Sequence, residues 1–317
     1  MAGPGEFELI REYFASRFQA NAPGAGVELG IGDDCALLTP PAGKFLATSV
    51  DTLVAGVHFP AQADPYRIAS RALRVNLSDL AAMNATPLWF TLALTLPESN
   101  AEWLEGFARG IADTAHLFDI ALVGGDTTKG PLSITIQVTG ASEQPLRRDG
   151  AGAGDSVFVS NTLGAASAAL PILLGEYRAG EAQKQQAEEA FYFPQPQFEL
   201  VQKLAGYASA GLDISDGLLA DLGHICNASH LGAQLELEKV PVAELARSVN
   251  PATALETAVT GGDDYQLCFT VPERHLDAVA QLDLPVTAIG RMSAGSGIQC
   301  RFNGAPWQAG HAGYRHF

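Results

Sequence analysis

The segment GIGDDCALL, residues Gly30–Leu38, places two adjacent aspartates between glycines and a run of small apolar residues. Such a pair is most often a solvated turn, because aspartate and glycine both suit tight turns. The same Asp-centred character recurs in five later segments, which are SVDTLVAG (49–56), NLSDLAAMNA (76–85), VGGDTTKG (123–130), DISDGLLADLGH (213–224) and GGDDYQL (261–267). Six such segments in one chain indicate a shared chemical role.

Composition narrows the classes of protein to consider. The chain has 317 residues, of which 47% are hydrophobic and 17% are charged, so we expect a globular protein long enough for two domains. Its 35 acidic and 19 basic residues give a formal net charge of -16, which disfavours nucleic acid and anionic membranes as partners. The four cysteines form no CxxC pair, and we find no targeting segment or membrane-spanning apolar run, which predicts a cytoplasmic protein.

The predicted elements alternate between helix and strand. KFLATSVD (44–51) and PLWFTLALTLP (87–97) predict strands, and DPYRIASRALRVNLSDLAAMN (64–84) between them has helical spacing, with a proline suited to the first helical turn. RRDGAGAGD (147–155) is small, flexible and polar. Its glycines precede a strand rather than open a helix, which argues against a dinucleotide-binding loop. We therefore predict a boundary near residue 150, with domains at 1–150 and 151–317.

The repeated aspartates are typical of a divalent-cation site. The sequence contains no GxxxxGK[ST] motif, which excludes a P-loop kinase. It also lacks HExxH and GxSxG, the common motifs of zinc proteases and serine hydrolases. Carboxylates on glycine-rich loops bind hard cations, and Mg²⁺ prefers a few carboxylates together with water and substrate phosphates. Asp33 and Asp34 can sit side by side because a cation neutralises charges that otherwise repel.

In their order along the chain, the motifs GIGDDCAL, VDTLVAGVHF, NLSDLAAMNATP, GGDTT, DISDGL, GGDDYQL and the terminal HF resemble the thiamine-monophosphate kinase family. This family is part of the superfamily of aminoimidazole ribonucleotide synthetase and selenophosphate synthetase, and the resemblance covers essentially the whole length. It implies ATP-dependent phosphorylation of thiamine monophosphate to thiamine diphosphate, the last step of thiamine diphosphate biosynthesis, by direct in-line transfer with Mg²⁺ and with ATP as co-substrate.

The resemblance also implies a two-domain α+β fold of the PurM-like type. The N-terminal α/β domain, 1–150, is expected to bind ATP and Mg²⁺ and to form a dimeric interface of β-barrel type. The C-terminal domain, 151–317, is expected to be an α/β sandwich that completes the nucleotide and substrate site. The family pattern therefore predicts a homodimer.

Site residues follow only where the family's motifs are intact. The positions that match metal ligands are Asp33, Ser49, Asp51, Asp79, Asp126, Asp213 and Asp216. Those that match the nucleotide site are Gly125, Asp126, Arg148 and Ser215. No catalytic side chain is expected, because the metals assist the transfer. Asp34 could equally hold its own loop by capping. Asn76 and Asp79 are three apart and share a helical face, so a rigid element can aim Asp79.

The sequence differs from the family pattern near the positions that are predicted to contact the substrate. His58, Asp263 and His311 match positions that contact the substrate, although Trp307 and Tyr314 are neighbouring alternatives to His311 for stacking on the substrate's rings. The family's GGEDYEL is GGDDYQL in this chain, so Asp263 is one methylene shorter than the family's glutamate, and Gln266 is neutral. Both changes weaken the transfer of the substrate role.

Three other functions compete with this interpretation. Selenophosphate synthetase uses a reactive Cys or selenocysteine and a Lys in an N-terminal glycine-rich segment, whereas NAPGAGVELG (21–30) contains neither. A catalytically silent nucleotide-binding protein would lose ligands, and the Asp set is nearly complete. A Ca²⁺-binding module would show EF-hand spacing, which is absent.

Overall fold

The computed structural model describes residues 9–18 and 26–310. The chain divides into two compact units, Met1–Leu80 with Ala85–Glu143, and Ala81–Asn84 with Gln144–Phe317. The short segment 81–84 groups with the second unit because the Leu146 N–H donates to the carbonyl of Met83 at 3.3 Å, and Asn84 Nδ2 donates to the carbonyl of Gln144 at 3.1 Å. No helix among the described residues has the length and apolar character that a bilayer crossing requires.

The first unit consists of a four-stranded sheet, a small two-stranded sheet and two long helices. A π-helix at Ile10–Ala15 and a helical turn at Ser16–Phe18 precede them. The strands are β1 Val27–Leu29, β2 Leu37–Leu38, β3 Phe45–Val54, β4 Thr86–Leu96, β5 Ala121–Lys129 and β6 Ser133–Ser142, and the helices are α1 Pro65–Ala82 and α2 Ala101–Leu117. The large sheet has the order β3-β6-β4-β5, with β4 and β5 parallel and the other pairs antiparallel.

Burial alternates along the large sheet. On β6, Ile134, Ile136 and Val138 are fully buried, while Gln137 between them is exposed. One face of the sheet therefore carries core residues, as alternation along a half-buried strand requires. The sheet is open, with β3 and β5 as its edges. The described residues of one chain thus form no closed barrel, and the barrel-type interface stays a prediction that involves a second copy.

The second unit is built on a seven-stranded mixed sheet. Its strands are β7 Ser156–Ser160, β8 Ala210–Asp213, β9 Gly232–Glu236, β10 Leu267–Val271, β11 Val286–Ser293, β12 Gly297–Phe302 and β13 Ala305–Trp307, in the order β13-β12-β9-β11-β7-β10-β8. Its helices are α3 Ala165–Leu173, α4 Glu181–Tyr192, α5 Phe198–Leu204, α6 Leu218–Ala228, α7 Glu244–Val249, α8 Ala254–Thr260 and α9 Leu276–Gln281.

Strand β10 shows why this unit is a sandwich. All five of its residues are buried, which the sequence LCFTV allows only if both faces of the strand are covered. Cys268 packs in one apolar cluster with Leu222 of α6, and Phe269 packs in another with Leu204 of α5. Helices therefore cover both faces of the sheet, and the predicted α/β sandwich is confirmed for this unit.

Candidate active site

Strand β3 and helix α1 bring together one group of predicted metal ligands. Ser49 and Asp51 pair with the buried Val138 and Ile136 of β6, so their side chains lie on the core-bearing face of the sheet. Ser49 Oγ donates a hydrogen bond of 2.6 Å to Oδ2 of Asp79. A hydroxyl and two carboxylates are thus placed next to one another, all with hard oxygen atoms.

Helix α1 aims this group through a buried amide. The Asp51 N–H donates to Oδ1 of Asn76 at 3.1 Å, and Asn76 Nδ2 donates to the Ala72 carbonyl at 2.9 Å. Asn76 is fully buried, so these bonds fix β3 against the helix. The helix begins at Pro65, and Asp64 Oδ1 accepts the N–H of Arg67 at 3.1 Å. The expectation that Asn76 and Asp79 share a helical face is confirmed.

A second group of predicted residues lines a cavity of about 470 Å³ between loop 30–36 and strand residues 122–127. Asp33, Gly125 and Asp126 are among its lining residues. Asp33 Oδ1 accepts the N–H of Asp34 at 2.8 Å, so the first aspartate of the pair fixes the backbone of the second. Both carboxylates of the pair are exposed.

The sheet separates these two groups. Asp51 lies on β3 and Asp126 on β5, the opposite edge strands, with β6 and β4 between them. Asp126 is in register with the exposed Ala93, and Ala93 with Thr135, so its side chain is on the face opposite to that of Asp51. Within 9–18 and 26–310, no three His, Cys, Asp or Glu side chains are grouped closely enough to hold a metal ion.

His58 lies in the turn that follows β3. Its Nδ1 accepts the N–H of Val54 at 3.0 Å, and its own N–H donates to the Val54 carbonyl at 2.9 Å. Because Nδ1 is an acceptor, the neutral ring carries its proton on Nε2. Gly56 in the same turn has a φ of 76°, a value that favours glycine. The turn therefore fixes both the orientation and the tautomer of the imidazole.

In the second unit, the turn after β8 carries three predicted residues. Asp213 ends the strand and is 8% exposed, and Ser215 and Asp216 follow in the turn. The backbone N–H groups of Ser215, Asp216 and Gly217 all donate to Oδ2 of Asp221, at 2.9, 3.0 and 3.1 Å. Burial raises the pKa of Asp221 to about 6, while these N–H groups act to lower it.

The GGDDYQL loop is attached directly to this turn. The Asp263 N–H donates to the Ser215 carbonyl and the Tyr265 N–H to the Ile214 carbonyl, both at 2.8 Å. Asp263 and Tyr265 have φ values of 69° and 49°, which are unusual for residues other than glycine. Tyr265 OH also donates to Oδ1 of Asp263 at 3.2 Å. A predicted nucleotide residue and a predicted substrate residue therefore lie side by side on bonded backbones.

Asp264 and Gln266 anchor the other side of this loop. Asp264 is buried, and its carboxylate accepts the Gly164 N–H at 2.6 Å, at the start of α3. Burial raises the pKa of Asp264 to about 7. Gln266 Oε1 accepts Ser160 Oγ at 2.8 Å and Asn161 Nδ2 at 2.9 Å. The neutral amide therefore has a structural role within the unit.

The remaining predicted residues lie at the ends of the second unit. The Arg148 carbonyl accepts Ser229 Oγ at 2.9 Å, so the segment after Gln144 is fastened to the end of α6, and Arg148 itself is exposed. Trp307 pairs with Cys300 between β13 and β12 and is half-buried. His311 and Tyr314 lie outside the described residues, so the choice of stacking residue stays a prediction.

Comparison with known proteins identifies the family. Residues 32–142 match the model "AIR synthase related protein, N-terminal domain" and residues 152–303 match "AIR synthase related protein, C-terminal domain". The chain is 44% identical over 327 aligned residues to the thiamine-monophosphate kinase of Escherichia coli (strain K12), covering 99% of this chain and 98% of that protein. The chain belongs to the thiamine-monophosphate kinase family.

Solved structures of this family share the fold. The crystal structure of thiamine-monophosphate kinase from Stenotrophomonas maltophilia K279a is 40% identical, with a TM-score of 0.84, and covers 94% of this chain and 97% of that one. The structure described as AaThiL complexed with AMPPCP and TMP is 31% identical, with a TM-score of 0.80, and covers 99% and 97%. The predicted two-domain PurM-like fold is confirmed.

The family motifs did not point to every residue that shapes the site. Asp221 and Asp264 lie inside the motif segments but match no predicted ligand position. Their buried carboxylates hold the two loops that carry Ser215 and Asp263. One signal was available in the sequence: Asp221 follows Gly217 by four residues, so its side chain can reach back to the turn before its own helix.

Proposed function

We propose that this chain is an ATP-dependent kinase that phosphorylates thiamine monophosphate to thiamine diphosphate. The observation that carries the proposal is the 44% identity, over 99% of the chain, to the Escherichia coli thiamine-monophosphate kinase. A second observation supports both substrates: the 31% identical AaThiL structure contains AMPPCP, an ATP analogue, and TMP, which we take as thiamine monophosphate. The six Asp-centred motifs of this sequence are those expected of such a kinase.

The chemistry of the acceptor fits a site without a general base. A phosphate monoester has its second pKa near 6, so the acceptor is largely a dianion at pH 7 and is already a nucleophile. The difficulty is repulsion between this dianion and the triphosphate. Catalysis then consists of positioning and charge stabilisation, which is how phosphoryl transfer is generally accelerated.

The donor atoms in the first unit fit Mg²⁺. Ser49, Asp51 and Asp79 present only hard oxygens, and Ser49 Oγ is 2.6 Å from Asp79. Mg²⁺ is typically held by one or two protein carboxylates together with substrate phosphates, so pairs of carboxylates suffice. We infer that Asp33, Ser49, Asp51, Asp79, Asp126, Asp213 and Asp216 are the Mg²⁺ ligands. When bound, Mg²⁺ supplies positive charge that offsets the repulsion between the phosphates.

We infer that Gly125, Asp126, Arg148 and Ser215 hold ATP. Gly125 supports this role because it lines the cavity beside loop 30–36 and is exposed on strand β5. Arg148 supplies a permanently charged, exposed guanidinium that suits a phosphate oxygen. Ser215 is fixed in the turn after β8 because its backbone N–H donates to Oδ2 of Asp221.

We infer that His58, Asp263 and His311 contact thiamine monophosphate. The neutral His58 ring can donate from Nε2 to a substrate oxygen or nitrogen. Asp263 carries a negative charge suited to the cationic thiazolium or the aminopyrimidine. Its side chain is shorter than the family's glutamate, and a bridging water can make up the difference at little cost in enthalpy.

We also propose that the kinase is a homodimer in the cytoplasm, with 1–150 as the ATP, Mg²⁺ and dimerisation domain and 151–317 as the domain that completes the site. The outward face of the four-stranded sheet supports dimerisation, because Leu46 and Val50 on β3 are 49% and 60% exposed. The four cysteines are free thiols, which suits a reducing compartment.

ADP release, measured with and without thiamine monophosphate in the presence of Mg²⁺, tests this function. The expected result is release that depends on thiamine monophosphate. Release that responds instead to selenide or to an aminoimidazole precursor would assign the chain to another activity of the superfamily. ATP binding without turnover would indicate a silent nucleotide-binding protein.

A further inference from the structure

The turn Ile214–Gly217 is organised around one buried side chain that the family motifs do not mark. Three consecutive backbone N–H groups, those of Ser215, Asp216 and Gly217, converge on Oδ2 of Asp221 at 2.9 to 3.1 Å. Asp221 is 4% exposed and lies in the first turn of α6. The turn and the helix that follows it are therefore joined through a single carboxylate oxygen.

Convergent N–H groups before a helix usually form an anion-binding concavity. Successive backbone amides and the helix dipole favour a negative charge at this place, and phosphates bind there in many nucleotide-binding proteins. In this chain the carboxylate of Asp221 occupies the concavity. Because each of the three N–H groups already donates to Asp221, a phosphate gains no backbone donor from them. The nucleotide is then contacted at this turn through side chains rather than through these backbone N–H groups.

The geometry of the turn leaves little room for an alternative arrangement. Gly217 has a φ of 114°, and a Cβ atom at this residue would lie 2.7 Å from the carbonyl oxygen of Thr260. A Cβ atom at Gly262 would lie 2.4 Å from the Ser215 carbonyl oxygen. The turn and the 261–266 loop are thus in close backbone contact. Backbone hydrogen bonds join the turn to this loop, and the three hydrogen bonds to Asp221 fix the turn from the side of the helix.

We propose that Asp221 is a positioning residue for the kinase reaction: its carboxylate sets the backbone from which Ser215 and Asp216 reach the nucleotide and its cation. This inference rests on the proposed kinase function. The carboxylate is an internal substitute for the phosphate that such a turn otherwise binds, and the turn is therefore formed before the nucleotide arrives.

Hydrogen exchange on the wild-type protein shows, without a variant, whether Asp221 fills the turn or the turn is an open phosphate site. If Asp221 fills the turn, the amides of Ser215, Asp216 and Gly217 are protected from exchange in the ligand-free protein, and AMPPCP with Mg²⁺ adds little protection. If the turn is an open phosphate site, these amides exchange freely until AMPPCP is added. That second result would overturn the proposal.

The variant Asp221→Asn tests the consequence for binding. Asparagine can keep one oxygen where the three donors converge but loses the negative charge that strengthens those hydrogen bonds, so we expect faster exchange at 215–217 and about tenfold weaker AMPPCP binding by calorimetry. Met292→Ala is the control, because Met292 is buried in the same core, so its truncation lowers stability, but it makes none of the three hydrogen bonds that fix the turn. We expect wild-type AMPPCP affinity in the control.

The outcomes distinguish this inference from the proposed function. Wild-type protein that binds no AMPPCP would contradict the kinase function itself. If folded Asp221→Asn binds AMPPCP as tightly as the wild type does, the kinase function stands and the proposed role of Asp221 is overturned. If Asp221→Asn does not fold, the exchange experiment on the wild type decides alone.

Discussion

Gly125 gives the sharpest structural prediction, because a neighbouring glycine provides its control. A Cβ atom at Gly125 would lie 1.9 Å from the carbonyl oxygen of Leu92, whereas real Cβ atoms essentially never approach within 3.0 Å. The substitution Gly125→Ala must therefore separate β5 from β4 by about 1.1 Å, the difference between these two distances. At Gly124, which lines the same cavity, a Cβ atom would have no neighbour within 4 Å.

The energetic cost follows from the clash. Overpacking of this kind costs about 1–3 kcal/mol, and replacing glycine in a strand returns about 0.5–1 kcal/mol. The balance of these two terms predicts that Gly125→Ala lowers the free energy of unfolding of the first unit by about 1–2 kcal/mol. Gly124→Ala should stay within about 0.5 kcal/mol of the wild type or be slightly more stable.

The same displacement should also reduce turnover. Asp126 follows Gly125 directly on β5, and a misplacement of about 1 Å can reduce turnover about 100-fold. Urea denaturation of both variants and the ADP-release assay on folded Gly125→Ala measure the two effects. Wild-type stability and wild-type turnover in Gly125→Ala would refute the strand register and the role assigned to this edge.

Further predictions concern ligands, acceptor and pH. Asp51→Asn or Asp79→Asn should fold normally but lose most turnover even at saturating Mg²⁺, because a neutral amide replaces a charged ligand; wild-type rates would contradict the assignment. Free thiamine should have a far lower kcat/KM than thiamine monophosphate, because its hydroxyl needs a general base; equal values would contradict a base-free site. Asp263→Ala should raise the KM for thiamine monophosphate about tenfold or more, a loss of roughly 1.4 kcal/mol, and leave that for ATP unchanged; the reverse pattern would move Asp263 to the nucleotide side. The folded-state pKa of Asp264 is raised to about 7, so its contribution to stability is complete below its unfolded pKa and is lost as pH rises towards 7. The denaturation midpoint of the wild type should therefore fall more between about pH 4 and pH 7 than the midpoint of Asp264→Asn. Equal falls in the two proteins would contradict this.

Local pattern was sufficient for much of the fold and part of the site. Helical spacing across 64–84 identified α1, and the three-residue separation of Asn76 and Asp79 predicted that they share one helical face. In the structure both contact β3. These features depend on the helical period and on alternation within a strand, which are properties of short segments.

Long-range pairing and burial were beyond local pattern. The sheet order β3-β6-β4-β5 is not sequential, so no local signal showed that Asp51 and Asp126 lie on opposite edges and opposite faces. Similarly, an aspartate in a helix is usually a solvated residue, and only the tertiary structure shows that Asp221 is buried against three backbone N–H groups. Such residues become recognisable only when their partners are known.

Transfer of the terminal phosphoryl group is the central claim, and labelled ATP tests it most directly. The chain is incubated with ATP labelled at the γ-phosphate, Mg²⁺ and thiamine monophosphate, and the products are separated and quantified. We predict that the label appears in the terminal phosphate of thiamine diphosphate, in a one-to-one ratio with ADP, and that none remains on the protein. Label released as inorganic phosphate, with thiamine monophosphate recovered unchanged, would contradict the account.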